Sequence, residues 1–192
     1  MTSALSLAEQ GFKVHLVEKE GELGGNLRHV YVARNGRDPQ QQLRRLVDKV
    51  SSNPSISLHI NSRVVASKGF MGNFTSTIQS DEGERAEIAH GITIIATGAR
   101  EYRGHEYGYG KNPLIITQQQ FEPILATGTN LPSSVAMILC VGPAEQFCSR
   151  ICCTIAIKNA LRLKELKPDA QVVVIYRDIR SYGFMERLYT KA

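Results

Sequence analysis

The sequence contains no long apolar run. Its longest, residues 135–141, falls far short of the roughly eighteen residues that a membrane-spanning helix requires, so no span is predicted. The first ten residues have no basic stretch, and Glu9 interrupts their apolar character, so no secretory signal peptide is predicted. These absences favour a cytoplasmic protein. The hydrophobic content of 42% is enough for one ordinary domain or two small ones.

A concentrated charge of one sign is also missing. The 192 residues carry 23 Lys and Arg against 18 Asp and Glu, and the net charge of +5 is spread evenly along the chain. Proteins that bind nucleic acids usually gather basic residues into a stripe, so no nucleic-acid partner is predicted. The histidines are scattered without a paired motif, and the sequence therefore identifies no catalytic acid, base or nucleophile.

Cysteine is absent outside residues 140–153, and that segment holds Cys140, Cys148, Cys152 and Cys153. Without secretory features, such a cluster favours a metal or redox site over a disulfide framework. Four thiols form the full ligand set of a [4Fe–4S] cluster or of a structural zinc ion. Zinc usually takes closely spaced cysteine pairs, which adjacent Cys152 and Cys153 fit poorly, and the Cys-x-x-Cys of a dithiol redox pair is absent. We therefore favour metal or cluster binding.

The apolar periodicity predicts an α/β fold with parallel strands. Buried strands are predicted at residues 14–17, 92–95, 135–139 and 172–176, a β-rich insertion at about 55–90 with a polar turn at 79–87, and helices starting at Asp38-Pro39, Thr117 and Thr154. Apolar strands that alternate with helices are typical of parallel sheets. Cys152 and Cys153 would lie near a helix start, where backbone N–H groups favour the thiolate, and Arg150 could offset the charge of a ligated cluster.

A helix followed by a strand that ends in an acidic residue is the second half of a dinucleotide-binding βαβ unit, and Glu18 fits the acidic position. The first strand and the G-x-G-x-x-G loop of such a unit would precede Met1, so we expect the chain to be a fragment. Gly24-Gly25 and the small residues Ala96-Thr97-Gly98 would let the backbone approach a pyrophosphate or ribityl chain closely.

These residues resemble the flavoprotein family with two dinucleotide-binding domains that includes thioredoxin reductase. The resemblance implies that Glu18 contacts the adenosine ribose of FAD, that Gly25 and Asn26 lie near its pyrophosphate and ribityl chain, and that Val65 contacts adenine through its backbone. Thr97-Gly98 would pass beside the cofactor. The expected cofactor-binding residues are Glu18, Lys19, Gly24, Gly25, Asn26, Leu27, Val65, Ala96, Thr97 and Gly98.

The cysteine segment through Leu161 resembles the A-type subunit of heterodisulfide reductase, as do residues 24–28 and 176–184. The resemblance implies an oxidoreductase subunit with a thioredoxin-reductase-like FAD domain and [4Fe–4S] clusters, active in electron transfer and electron bifurcation. Its partners would be subunits of the heterodisulfide reductase B or C type, ferredoxin or hydrogenase. The cysteines would replace the glycines that hold NAD(P)H pyrophosphate in the strand-to-helix turn of the second βαβ unit.

We expect two Rossmann-like domains. Residues 1–112 would form an FAD-binding-type unit that lacks its first strand and glycine loop, and residues 113–192 a second unit that carries the cysteines and is cut short at its C-terminus. As an isolated fragment, the chain is expected to be inactive, and either cofactor could be absent from it. Two alternatives stay open: a non-catalytic, zinc-stabilised interaction module, and a conventional FAD/NAD(P)H reductase with redox-active cysteines. Homo-oligomerisation is also left open.

Overall fold

Helices and strands follow one another along the chain in a mixed α/β fold, which confirms the predicted class at that level. The computed structural model describes residues 1–33, 37–143 and 147–192. The helices are α1 (Thr2–Glu9), α2 (Pro39–Ser51), α3 (Gln118–Thr127), α4 (Ile151–Leu166) and α5 (Glu186–Lys191). The strands are β1 (Val14–Val17), β2 (Ile56–His59), β3 (Ser62–Phe70), β4 (Asn73–Ser80), β5 (Arg85–His90), β6 (Ser134–Ile138) and β7 (Gln171–Ile175).

The strands form three sheets in the described residues. β1 pairs with β2 and β6 pairs with β7, both in parallel. Each of these pairs is joined through a connection that contains a helix, as parallel pairing requires. β3, β4 and β5 form an antiparallel meander. The prediction of parallel strands is therefore confirmed for these two pairs, and β2, which was predicted as part of a β-rich insertion, belongs to one of them.

The chain packs into two compact units. The first comprises Met1–Arg28 with Gln40–Ala99, and the second comprises His29–Pro39 with Arg100–Ala192. Each unit has its own apolar core. The first core contains the buried residues Ala4, Leu5, Leu23, Val50 and Ile56. The second contains Phe121, Leu125, Met137, Leu139, Cys153, Ala156, Ala160, Leu163 and Ala170.

Local capping explains where the predicted helices start. Thr117 caps α3 as predicted: its side chain accepts a hydrogen bond from the backbone N–H of Gln120, and the Gln120 side chain accepts one from the backbone N–H of Thr117. α2 begins at Pro39, as the Asp-Pro sequence predicts. α4 begins at Ile151, earlier than expected, so that Cys152 and Cys153 lie within its first turn.

The predicted buried strand at residues 92–95 is wrong. The segment forms no strand, and Ile92 is 72% and Ile95 82% exposed. An apolar segment becomes a buried strand only if another strand pairs with it. In the described part of the first unit, β1 and β2 pair with each other and the meander pairs within itself.

The predicted polar turn at residues 79–87 is too long. β5 begins at Arg85, opposite Gln79 of β4, so the turn is confined to residues 81–84. The N–H of Ser80 donates to the carbonyl of Glu84 across it. Backbone pairing satisfies the polar main chain whatever the side chains are, so a polar stretch can still continue a ladder.

Candidate functional site

Three of the four cysteines are positioned by the junction of a strand and a helix. Cys140 follows β6 and has a left-handed φ of 59°. Cys152 and Cys153 belong to the first turn of α4. The carboxyl end of a parallel strand and the start of the next helix are where α/β folds bind ligands. Cys148 lies between these points and is half-buried.

Two of the thiols donate hydrogen bonds to the backbone carbonyl of Asp178. The Sγ atoms of Cys140 and Cys153 each donate to this oxygen at 3.9 Å. The two sulfur atoms therefore lie no further apart than twice that distance. The backbone N–H of Arg180 also donates to the Cys153 Sγ at 3.4 Å. Cys153 is only 1% exposed, and its sulfur both donates and accepts a hydrogen bond.

The other two thiols are close enough to influence these groups electrostatically. Burial raises the pKa of Cys152, and the neighbouring Cys153 and Cys148 raise it further. Burial therefore opposes the thiolate at Cys152, whereas the helix start was expected to favour it. The Asp178 side chain, and then Cys148, raise the pKa of Arg180.

The four thiols are a donor set that suits a metal centre, although two of them lie within hydrogen-bonding distance of a backbone carbonyl. Among residues 1–33, 37–143 and 147–192, no three His, Cys, Asp or Glu side chains are arranged to hold a metal ion. A thiol must lose its proton before it can ligate a metal. Metal binding by Cys140 and Cys153 would therefore break their hydrogen bonds to the Asp178 carbonyl. Four neighbouring cysteines nevertheless provide the ligand chemistry that an iron–sulfur cluster requires.

Two aromatic side chains flank the cysteine segment. The ring of Tyr102 covers the backbone at Gly142 so closely that a Cβ there would clash with the ring. The Tyr102 hydroxyl donates to Glu106 at 2.8 Å, and this bond raises the pKa of Tyr102. Arg150 donates to the hydroxyl of Tyr182 at 2.5 Å. Arg150, which was expected to offset the charge of a ligated cluster, is therefore hydrogen-bonded to Tyr182.

The loops predicted to bind a cofactor meet within the first unit. The Asn26 side-chain amide donates to the carbonyl of Ala99 at 2.7 Å, which joins the Gly24-Gly25 loop to the segment that contains Thr97. Gly25 has a φ of +47° and Gly98 a φ of +66°, and a Cβ at either position would meet nothing within 4 Å. Both glycines therefore present open backbone.

The remaining predicted cofactor residues lie at strand ends and irregularities. Glu18 directly follows β1, and its carboxylate accepts the N–H of Glu20 at 3.1 Å. Val65 lies at a β-bulge, because the pairing of β3 with β4 passes from Val64–Ile78 to Ala66–Thr77. The register shift leaves Val65 without a paired residue on β4. Lys19 forms an exposed ion pair with Glu20.

A buried ion pair that the sequence did not predict fastens α4 to α3. Lys158 on α4 contacts Glu122 on α3, and their side chains are only 10% and 3% exposed. The Glu122 carboxylate also accepts the N–H groups of Tyr31 and Val32, both at 2.9 Å. Lys158 donates to the Val32 carbonyl at 2.9 Å. A buried charge needs such partners, but a single charged residue in a helix does not reveal them.

The fold class is shared with a solved dehydrogenase. The crystal structure of L-proline dehydrogenase from P. horikoshii matches 94% of this chain with a TM-score of 0.51, although the identity is 17% and the match covers 34% of that enzyme. This likeness shows the fold alone. No family model matches the chain. In the described residues, no helix has both the length and the apolar character needed to cross a membrane.

The curated sequence relatives are A-type subunits of heterodisulfide reductases. The chain is 39% identical, over 129 residues, to the A-type subunit of the ferredoxin/F420H2-dependent CoB–CoM heterodisulfide reductase of Methanosarcina acetivorans; the match covers 56% of this chain and 16% of the relative. It is 25% identical to an iron–sulfur subunit of the same type from the CoB–CoM heterodisulfide reductase of Methanopyrus kandleri, over 94% of this chain and 42% of the relative. The corresponding protein of Methanocaldococcus jannaschii is 26% identical over the same shares.

These matches confirm the resemblance that the cysteine motif predicts. The relatives are named as subunits of reductases, which is the oxidoreductase class that the sequence predicts. The chain spans less than half the length of each of these relatives. The match to the Methanopyrus protein extends over 284 residues, which is longer than this chain, so that relative has residues inside the matched region that are missing here.

Proposed function

We propose that this chain is an electron-transfer part of a heterodisulfide-reductase-A-like flavoprotein, and that Cys140, Cys148, Cys152 and Cys153 hold a [4Fe–4S] cluster. The observation that supports this most strongly is that Cys140 and Cys153 both donate to one carbonyl, while Cys153 and Cys148 both raise the pKa of Cys152. The Methanopyrus relative is itself named as an iron–sulfur protein. Four thiolates are the ligand set that such a cluster takes.

The protein would tune this site with backbone groups. The N–H of Arg180 already donates to the Cys153 sulfur. Hydrogen bonds to ligating sulfur atoms favour the more negatively charged state and so raise a cluster's reduction potential. The buried position of Cys153 excludes water from one side of the site.

A flavin site in the first unit is the second half of the proposal. Glu18 would bind the adenosine ribose, the Val65 backbone would contact adenine, and open backbone at Gly25 and Gly98 would approach the rest of the cofactor. The bulge at Val65 and the bond between Asn26 and Ala99 support this arrangement. FAD supplies two-electron chemistry and can pass single electrons to one-electron carriers.

The finer architecture is proposed on the same grounds. We infer that both compact units are Rossmann-like, each built around a parallel strand pair. The partners would be other members of an electron-transfer complex, including heterodisulfide reductase B- or C-like subunits, ferredoxin or hydrogenase. Cytoplasmic location and electron bifurcation belong to the proposal as well.

Substitution of one cysteine tests the cluster ligands. The chain is reconstituted anaerobically with iron and sulfide, and iron is measured together with the electron paramagnetic resonance spectrum of the reduced protein. Cys152→Ser is expected to lose most of its iron and the cluster signal. Ser149→Ala, three residues earlier on the exposed side of the same segment, is expected to retain both. Iron retained in full by Cys152→Ser would remove that thiol from the ligand set.

A negative charge introduced at Gly25 tests the proposed flavin site. Gly25→Asp would bring a carboxylate to the position proposed for a pyrophosphate. We expect flavin affinity to fall at least about tenfold, equivalent to about 1.4 kcal/mol. Gly83→Asp is a matched control, because Gly83 also has a positive φ and open surroundings but lies in the β4–β5 turn. Absence of FAD binding by the unmodified chain, or equal loss in both variants, would contradict this half of the proposal.

A further inference from the structure

Two histidines that are far apart in sequence share one face of the first parallel sheet. Val14 and Leu16 of β1 pack with Leu58 of β2 around the first core. Alternate residues of a strand point to opposite faces, so His15 and His59 lie on the other face. The parallel register places Val17 opposite His59 and His15 opposite Ser57. The two histidines are therefore diagonal neighbours across the strand pair.

The two imidazole rings meet through their nitrogen atoms. His15 Nδ1 lies 3.0 Å from His59 Nε2, and the ring planes differ by 16°. One ring must donate and the other accept, so a single hydrogen is shared between two nitrogens. His15 is exposed and His59 is half-buried, which leaves the contact open to solvent on the His15 side.

The separation of these nitrogens matches that of two ligands on one metal ion. Nitrogens bound at about 2.1 Å to adjacent positions of an ion, at a right angle, lie about 3.0 Å apart. In this contact the two nitrogens face each other, so both rings would rotate about their side-chain bonds, and the shared hydrogen would move to another ring nitrogen, to bring both lone pairs onto one ion. Imidazole is the protein ligand that suits nickel, copper and zinc.

We propose that His15 and His59 form a two-histidine binding site for a divalent transition-metal ion, completed by water. The site lies on the β1–β2 strand pair in the first unit, whereas the thiols belong to the second. It therefore involves none of the thiols, and neither histidine is among the residues proposed to bind FAD. Burial and then His15 lower the pKa of His59, which keeps its ring neutral and able to ligate at neutral pH.

Paramagnetic Ni²⁺ provides a site-resolved test in the full chain. The imidazole resonances of all five histidines are followed by nuclear magnetic resonance during titration with Ni²⁺ alone, so metal bound by the cysteines is recorded separately. We expect the His15 and His59 rings to broaden together, at lower Ni²⁺ than the exposed His105 ring. The His105 ring serves as the reference for a single histidine.

Removal of one ligand supplies the second arm of the test. In His15→Gln, the Ni²⁺ concentration that broadens His59 is expected to rise at least about tenfold, because a chelating pair becomes a single ligand. His105→Gln is the matched control and should leave the broadening of His15 and His59 unchanged. Broadening of His59 at the same Ni²⁺ concentration in His15→Gln and in the unmodified chain would overturn the site. Simultaneous broadening of His105 with the pair would overturn it too.

Discussion

The cysteine site and the proposed flavin loops differ in how closely neighbouring groups surround them. At the cysteine site, the Cys153 thiol donates to the Asp178 carbonyl and accepts from the Arg180 N–H, and the Tyr102 ring covers Gly142. In the flavin loops, by contrast, Gly25 and Gly98 face open space, and the apolar segment at residues 92–95 is exposed. The thiol site is thus enclosed by neighbouring side chains and backbone, whereas a Cβ at either glycine of the proposed flavin loops would meet no neighbour.

The largest expected effect concerns the buried ion pair between Glu122 and Lys158, which we expect to stabilise the second unit. Glu122→Ala would leave the buried Lys158 ammonium without its carboxylate and free two backbone N–H groups. We expect a loss of about 3–5 kcal/mol in the free energy of unfolding, measured by urea denaturation. Glu165→Ala is the control: this carboxylate forms only exposed ion pairs, with Arg162 and Lys191, and should cost less than about 1 kcal/mol. Equal losses would contradict a role for burial.

An effect of intermediate size is expected when the stability cost of a Cβ at the crowded Gly142 is compared with its cost at the uncrowded Gly25. Gly142→Ala places a Cβ against the Tyr102 ring at a φ of +69°, and should cost about 1–3 kcal/mol in unfolding free energy. Gly25→Ala has a positive φ as well but meets no neighbour, so it should cost only the roughly 1 kcal/mol of left-handed backbone. The variant Tyr102→Leu should recover part of the loss in Gly142→Ala. No recovery would show that Tyr102 does not close the segment.

The smallest expected effect is the pH dependence of the first unit. Burial and His15 lower the pKa of His59 from its ordinary value of 6.5. Below that value the unfolded chain binds a proton that the folded chain binds less readily, so stability is full above pH 6.5 and decreases as the pH falls. Urea midpoints at about pH 7.5 and about pH 5.5 measure this loss. His15→Gln should make it smaller, and a loss of equal size in that variant would contradict the coupling.

Local sequence signals predicted the elements that they control directly. Asp38-Pro39 and Thr117 marked the starts of two helices, and the cysteines were placed at a strand-to-helix turn. These signals act over a few residues, so one sequence contains all the information they need. The parallel pairing of β6 with β7 followed from the same reasoning, because two apolar strands separated by one helix have few other ways to pair.

Contacts between distant segments could not be predicted in the same way. The Asp178 carbonyl, the Tyr102 ring and the Glu122 carboxylate reach their partners only after the chain has folded. The segment at residues 92–95 was wrongly predicted because its apolar pattern does not state whether a strand lies beside it. The pairing of His15 with His59 depends on the register of two strands that are 44 residues apart.

Iron and sulfide analysis of the anaerobically reconstituted chain tests the central proposal most directly. The four thiols should bind one cluster, with about four irons and four sulfides per chain and broad absorbance near 400 nm that bleaches on reduction. Stoichiometric zinc without iron would contradict the proposal and would support the structural-metal alternative. Absence of both metals after reconstitution would also contradict it, since the gathered thiols would then hold no cluster.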